Sequence, residues 1–203
     1  MFIPPHSKTK EGFEVTIGTN AIGTSYLTSL LLPLVQKSSA ARIVLVSSRM
    51  VNFISSDVFE RHLADVGGES QNSSTAEMYS FSKALNTMYA FELQKRINKP
   101  NVIVASVEPG FVYSDIQSKT DRSHLLTNIT SCLSHIAAKS TIDGALPLLY
   151  VALSPDLEQQ PALRGQMFSE GPNIQIFKLP SYINSENSTR AYDAIEAAIQ
   201  SKL

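Results

Sequence analysis

A single cysteine, Cys132, stands among 203 residues. It has no internal disulfide partner, a cysteine-type zinc site is excluded, and a reducing intracellular compartment is expected. The four histidines, His6, His62, His124 and His135, show no metal-ligand spacing, so no metal is expected. Long hydrophobic runs are missing too. The longest apolar block, Leu30 to Val35, contains Pro33 and falls far short of the ~20 residues of a membrane span. Met1-Phe2-Ile3-Pro4-Pro5 has neither the basic nor the apolar region of a signal peptide, so a cytoplasmic location is expected, with peripheral membrane association left open. Excess charge is also lacking: 17 Lys and Arg against 18 Asp and Glu give a net charge of −1. With no basic stripe, no nucleic-acid partner is expected. The nine glycines form no Gly-x-Gly-x-x-Gly or Gly-x-x-x-Gly-x-Gly turn. No Gly-x-Ser-x-Gly elbow occurs either, which argues against a hydrolase.

What is present reads as one globular domain, 43 % hydrophobic and 17 % charged. A chain of this length can bury roughly 70 % of its unfolded surface. Helical spacing of Ile22, Tyr26, Leu30 and Val35 predicts a long helix from about Glu11 to Gln36, bent or ended by Pro33. Arg42–Ser48 is a short β-rich run, apolar on both faces, and predicts a buried parallel strand. Residues 49–76 read as a loop with one short helix. Met78 to Asn98 is the clearest helix, with Lys95 and Arg96 in its last turns. A second buried strand spans Val102 to Val107 and closes at Pro109-Gly110. Residues 114–140 carry an amphipathic centre. A third helix is predicted from Ile142 to Leu153, a last strand near Gly165–Ser169, and beyond Gly171 a surface loop and a polar helix, Ala191–Lys202. Helices alternating with strands imply an α/β fold with a parallel sheet.

Tyr79 and Lys83 stand four residues apart, on one face of a helix. A cation beside a phenol favours the phenolate and lowers a pKa that is ordinarily about 10. The pair is therefore a candidate acid/base. In open parallel sheets, ligands bind beyond the carboxyl ends of the strands. Ser47-Ser48 ends the first strand, Pro109-Gly110 ends the second, and Tyr79 and Lys83 open the connecting helix, so all three point to one crevice. Ser48 is the favoured hydroxyl of the serine pair, with Ser47 as the alternative.

These motifs resemble the short-chain dehydrogenase/reductase superfamily, and most the retinol-dehydrogenase-like branch. Asn20 in Gly18-Thr19-Asn20-Ala21-Ile22-Gly23 matches its helix asparagine, Arg42–Ser48 its serine-bearing strand, and Tyr79 and Lys83 its Tyr-x-x-x-Lys. Asn86 matches a following asparagine, and Pro109-Gly110-Phe111-Val112-Tyr113-Ser114 its cofactor loop. Gly144-Ala145 and Leu149–Pro155 resemble that branch's late helix. The resemblance implies the C-terminal part of a doubly wound Rossmann-type sheet. It also implies alcohol–carbonyl chemistry on a small lipophilic molecule, with NADP or NAD as cofactor and NADP slightly favoured. Ser48 would hold the substrate oxygen, Tyr79 would give or take its proton, and Lys83 would lower the Tyr79 pKa and bind the nicotinamide ribose. Asn20 would bind a water linking Lys83 to solvent. The loop Pro109, Gly110, Val112 and Ser114 would clasp the cofactor. Residues 114–140 read as a substrate-loop region, and the apolar face over 125–136 as a substrate lid, a membrane-surface contact or plain core, with the lid favoured.

The family's opening strand, glycine-rich turn and Asn-Asn-Ala-Gly segment have no counterpart in this sequence. A single partial domain over residues 1–203 is expected, with 172–203 a C-terminal extension and the strand at 42–47 on an open sheet edge. An open edge invites pairing with another chain. The alternative reading is therefore an inactive family member that acts as an interaction protein through that edge, and homo-oligomerisation is left open.

Overall fold

The computed structural model describes residues 4, 6–68, 73–97, 99–112, 139–169 and 173–202. Its first long helix begins as α1 (Val15–Ile17), passes through a π-helical turn (Gly18–Ile22) and continues as α2 (Gly23–Val35). Glu14 starts it by accepting the amides of Thr16 and Ile17, both at 2.9 Å, which fills two of the donors a helix start leaves unpaired. Strand β1 (Ala41–Val46) leads into a 3₁₀ turn (Arg49–Phe53) and α3 (Ser56–Leu63). Helix α4 (Thr75–Arg96) opens on a capping box: Ser74 accepts the Glu77 amide at 3.2 Å, with Glu at the third helical position.

Beyond α4 come β2 (Val102–Glu108), α5 (Thr141–Leu153), α6 (Asp156–Gln159), a 3₁₀ turn (Pro161–Leu163), β3 (Met167–Ser169), β4 (Gln175–Ile176) and α7 (Ser185–Lys202). The sheet order is β1-β2-β3-β4. β1 and β2 run parallel from Ala41↔Val102 to Val46↔Val107, β3 lies parallel to β2, and β4 lies antiparallel to β3.

Every residue of β2 is buried, and its alternation divides the core. Val102 and Val104 face the large cluster built from α1, α4 and α7; Ile103, Ala105 and Val107 face the smaller cluster with Val151, Leu157 and Phe168. β1 differs from the fully buried strand its sequence implies. Most of it is half-buried, and Val46 is exposed, because among the described residues nothing pairs with its second edge. The parallel expectation holds for β1 to β3. The antiparallel β4 is too short to leave a periodic signal.

The C-terminal segment is more than an extension. Ser188, Ala191, Ile195 and Ile199 recur at helical spacing, and this buried stripe docks α7 on α4. Tyr182 stacks on Phe59 with centroids 5.2 Å apart, and Tyr192 on Tyr89 at 4.8 Å. Buried Glu92 of α4 accepts from Lys95, Arg96 and Thr189 of α7. Burial opposes its charge, yet these hydrogen bonds hold the carboxyl below its ordinary value.

Gly144 sits where α5 crosses the end of β2: a Cβ there would run into the Val112 Cγ2 methyl. Gly144→Ala should therefore cost about 1–3 kcal/mol by overpacking. Adding Val112→Ala should recover part of that loss in a urea-unfolding double-mutant cycle. Ile195→Ala, at a fully buried position, should cost about 2–5 kcal/mol. Exposed Gln200→Ala should stay within about 0.5 kcal/mol in the same assay.

Candidate active site

Tyr79 lies in the second turn of α4 and is buried. Its hydroxyl is hydrogen-bonded to Ser48, which follows β1 and caps the 3₁₀ turn by accepting the Met50 amide at 3.2 Å. The cap explains the position of the serine. Its extended backbone (φ −163°, ψ 152°) ends the strand, and its hydroxyl sits over the first turn beyond it. The neighbouring Ser47 looks elsewhere. It donates to the Lys83 carbonyl at 2.9 Å and accepts from Thr87 at 2.7 Å, so it fastens β1 to α4. Of the two serines, Ser48 is the one that meets the phenol.

Lys83 is one turn further along α4, with Nζ 5.6 Å from the Tyr79 ring centroid. It donates to the Val46 carbonyl at 3.0 Å, and Asn86 donates to the same oxygen at 3.1 Å. The geometry of the strand explains this target. The Ser47 amide of the same peptide unit bonds to Val107 on β2, so the Val46 carbonyl points the opposite way, toward the unpaired edge. Lys83 and Asn86 satisfy an acceptor that a neighbouring strand would otherwise engage.

The electrostatics depart from the simple expectation. Burial pushes the Tyr79 phenol above its ordinary value; the Ser48 hydrogen bond opposes this, and the Glu108 charge adds to it. The expected lowering by Lys83 is not among these influences. Burial in turn pushes Lys83 down to about 8, so its own charge is poised rather than fixed.

Asn20 lies buried in the π-helical turn, a kind of local bulge that recurs at functional sites. Its Nδ2 donates to Ser82 at 3.2 Å, and Ser82 donates back to the Tyr79 carbonyl at 2.7 Å. Asn20 thus joins the first helix to α4 beside Lys83. At the end of β2, Pro109 leads into Gly110, whose φ of +82° is easy only for glycine. Val112 bridges to Lys139. Ser114, and residues 114–138 of the expected lid, lie outside the described residues.

Sequence reasoning missed Glu108 and Arg49. Glu108 is buried at the end of an apolar strand, and Arg49 grips both its oxygens, Nε to Oε1 at 2.9 Å and Nη2 to Oε2 at 3.2 Å. A charge ending a buried run, directly before Pro109-Gly110, was the available signal. Beside this pair opens a cleft of about 910 Å³, lined by Arg49, Phe53, Ser169, Ile176, Leu179 and Pro180. A second hollow of about 640 Å³ lies near His6, Lys8 and Glu14, and neither it nor the cleft is lined by Asn20, Ser48, Tyr79 or Lys83. Among the described residues, no helix is long and apolar enough to cross a membrane.

No family model matches the chain. It is 29 % identical to retinol dehydrogenase 14 of Mus musculus over 199 residues, covering 98 % of this chain and 56 % of that one. Identity to retinol dehydrogenase 12 of Mus musculus is 37 % over 166 residues, covering 82 % and 48 %. Identity to the WW domain-containing oxidoreductase of Pongo abelii is 28 % over 205 residues, covering 100 % and 47 %. The chain spans about half the length of the curated relatives it matches. The crystal structure of an uncharacterized protein from Mycobacterium Paratuberculosis superposes with a TM-score of 0.69 at 22 % identity, covering 98 % of this chain and 64 % of that one, which shows the shared fold. The parallel-dominated sheet is thus the C-terminal part of a Rossmann-type domain, and the chain belongs to the short-chain dehydrogenase/reductase superfamily, in its retinol-dehydrogenase-like branch.

Proposed function

We propose that this chain carries the proton-transfer centre of an NAD(P)-dependent oxidoreductase that interconverts an alcohol and a carbonyl on a small lipophilic molecule. The observation that carries this reading is the buried Tyr79 phenol, hydrogen-bonded to Ser48 with Lys83 one turn away. For a carbonyl substrate, Ser48 holds the oxygen and the Tyr79 hydroxyl gives it a proton as the carbon is reduced; the phenolate left behind regains its proton from solvent. For an alcohol the same proton moves to Tyr79. A bound nicotinamide would supply or accept the hydride. The cleft lined by Arg49, the residue after Ser48, suits an apolar substrate body, with Phe53, Ile176 and Leu179 on its wall.

The donor set fits one end of that cofactor. Tyr79, the Lys83 ammonium and the turn at Gly110 supply hydroxyl, cationic and backbone groups, as a ribose and a carboxamide require. The chain's glycines provide no turn to seat a diphosphate. Binding of a complete dinucleotide to this chain alone is therefore expected to be weak.

A second reading has its own support. Among the described residues β1 has an open edge, and two leucine-rich stripes stand exposed, Leu27, Leu30, Leu31 and Leu34 on α2 and Ile142, Leu146, Leu149 and Leu153 on α5. This is the profile of an interaction protein that pairs through its sheet edge. Light scattering discriminates: a well-behaved monomer argues against it.

Three outcomes follow for the catalytic reading. With NADPH at millimolar concentration and an aromatic or retinal-like aldehyde, Tyr79→Phe should lower the rate of NADPH oxidation at least about 100-fold. The same loss is expected in a fusion bearing the N-terminal half of retinol dehydrogenase 14. If the variant retains the parental rate in the fusion, the reading fails. Lys83 should be charged below pH 8 and neutral above it. Acetylation of Lys83, followed by mass spectrometry across pH, should therefore show a midpoint near 8, whereas an ordinary lysine titrates at about 10.4.

A further inference from the structure

The cleft of about 910 Å³ has two walls. One is the 3₁₀ turn Arg49–Phe53 that follows β1, and the other runs from Ser169 through β4 to Pro180. The first wall is pinned from behind, because the Tyr182 hydroxyl donates to the Val51 carbonyl. In the second, the Phe177 amide donates to the Met167 carbonyl at 2.7 Å, and the Phe177 ring packs against the large core cluster. Its neighbours Ile176 and Lys178 are exposed and line the cleft.

The lining is apolar in body and cationic in charge. Phe53 is 73 % exposed and Ile176 is 49 % exposed, two large apolar side chains that a closed core would cover. Among the described residues, its charged members are Arg49 and Lys178, and no carboxylate lines it. The two cations differ. Arg49 is matched by the buried Glu108 carboxylate, which accepts from its Nε at 2.9 Å and its Nη2 at 3.2 Å. Lys178 has no such partner among the described residues. The lining therefore carries the charge of one ammonium beside an apolar wall. Exposed Asn52 and Gln175 add amide donors. A neutral hydrocarbon gains from the walls alone, whereas an amphipathic anion gains from the walls and from the charge.

We propose that this cleft takes amphipathic anions, with an apolar chain against Phe53 and Ile176 and a carboxylate at the Lys178 ammonium. The substrate class is then a lipophilic carbonyl or alcohol that bears a carboxylate away from its reacting carbon. That second step rests on the functional reading above, in which the cleft holds the substrate body and Arg49, on its wall, directly follows Ser48. Lys178 sets the charge preference and takes no part in proton transfer. A neutral ligand of the same length forgoes the carboxylate contact, and a cationic one meets repulsion.

The test reads binding alone, without cofactor or turnover. It can therefore fail while Tyr79→Phe still abolishes reduction, and the reverse. Decanoate, decanol and decyltrimethylammonium share one alkyl chain and differ in charge. Each is titrated, below its micellar concentration, into the full chain labelled with ¹⁵N and ¹³C and followed by NMR. Decanoate should shift Phe53 and Ile176 saturably and bind about three- to tenfold tighter than decanol, with decyltrimethylammonium the weakest. Lys178→Gln, at an exposed position, should fold as the parent does. It should bring decanoate to the affinity of decanol and leave decanol within about twofold of its parental value. Lys37→Gln, exposed before the start of β1, should leave all three affinities unchanged. Equal affinity for decanoate and decanol in the parent overturns the proposal. So does a decanoate preference that survives Lys178→Gln, or shifts centred on the leucine stripes of α2 and α5. Binding to phosphatidylglycerol vesicles without binding of monomeric decanoate overturns it as well, and assigns the cationic rim to a membrane surface.

Discussion

Helix α4 is held between the sheet and α7, and that double contact fixes the direction of every side chain it carries. Fourteen of its 22 residues are buried, on all sides of the helix rather than on one stripe. Ser47 and Thr87 bolt it to β1, while Tyr89, Leu93 and Glu92 bind it to α7. A helix so constrained cannot rotate without breaking the core. Tyr79 is therefore carried to the end of β1, where Ser48 waits. The precision of the site comes from packing far from it, which is why a buried isoleucine of α7 matters to a phenol at the other end of α4.

The open edge of β1 shapes the same site. A strand edge exposes backbone acceptors, and here one of them, the Val46 carbonyl, is taken by Lys83 and Asn86. Lys83 thus serves the sheet while standing next to Tyr79. Crowding of the ammonium brings its pKa to about 8. A lysine in that range can gain or lose its proton with modest changes around it, whereas an ordinary surface lysine cannot. The leucine stripes of α2 and α5 stand exposed as well.

Much of this was legible in the sequence. Ser-Ser after a β-rich run, Tyr-x-x-x-Lys opening the next helix, and Pro-Gly after the second run place three groups at one end of a parallel sheet. Local chemistry wrote those features, through strand propensity, helix spacing and Ser74–Glu77 capping. Long-range pairing wrote the rest. The Arg49–Glu108 clamp joins residues 59 apart in sequence, and no window of the chain displays it. α7 reads as polar because only Ser188, Ala191, Ile195 and Ile199 form its buried stripe against α4, and two of those four are small and weakly apolar or polar. The rise of the Tyr79 pKa was hidden for a similar reason: spacing shows the nearby lysine, but burial and the Glu108 charge are properties of the folded chain.

The proposal that Tyr79, Lys83 and the Pro109-Gly110 turn form the nicotinamide end of a cofactor site, beside the substrate-binding Ser48, carries the functional reading. Titration with nicotinamide mononucleotide, which has the ribose and the ring but no adenine half, tests it most directly by amide and side-chain NMR. The account predicts saturable shifts confined to Ser48, Tyr79, Lys83 and the Pro109-Gly110 turn, abolished by Lys83→Met. Shifts centred on the hollow at His6 and Glu14, or no saturable shifts in a folded chain, would contradict it.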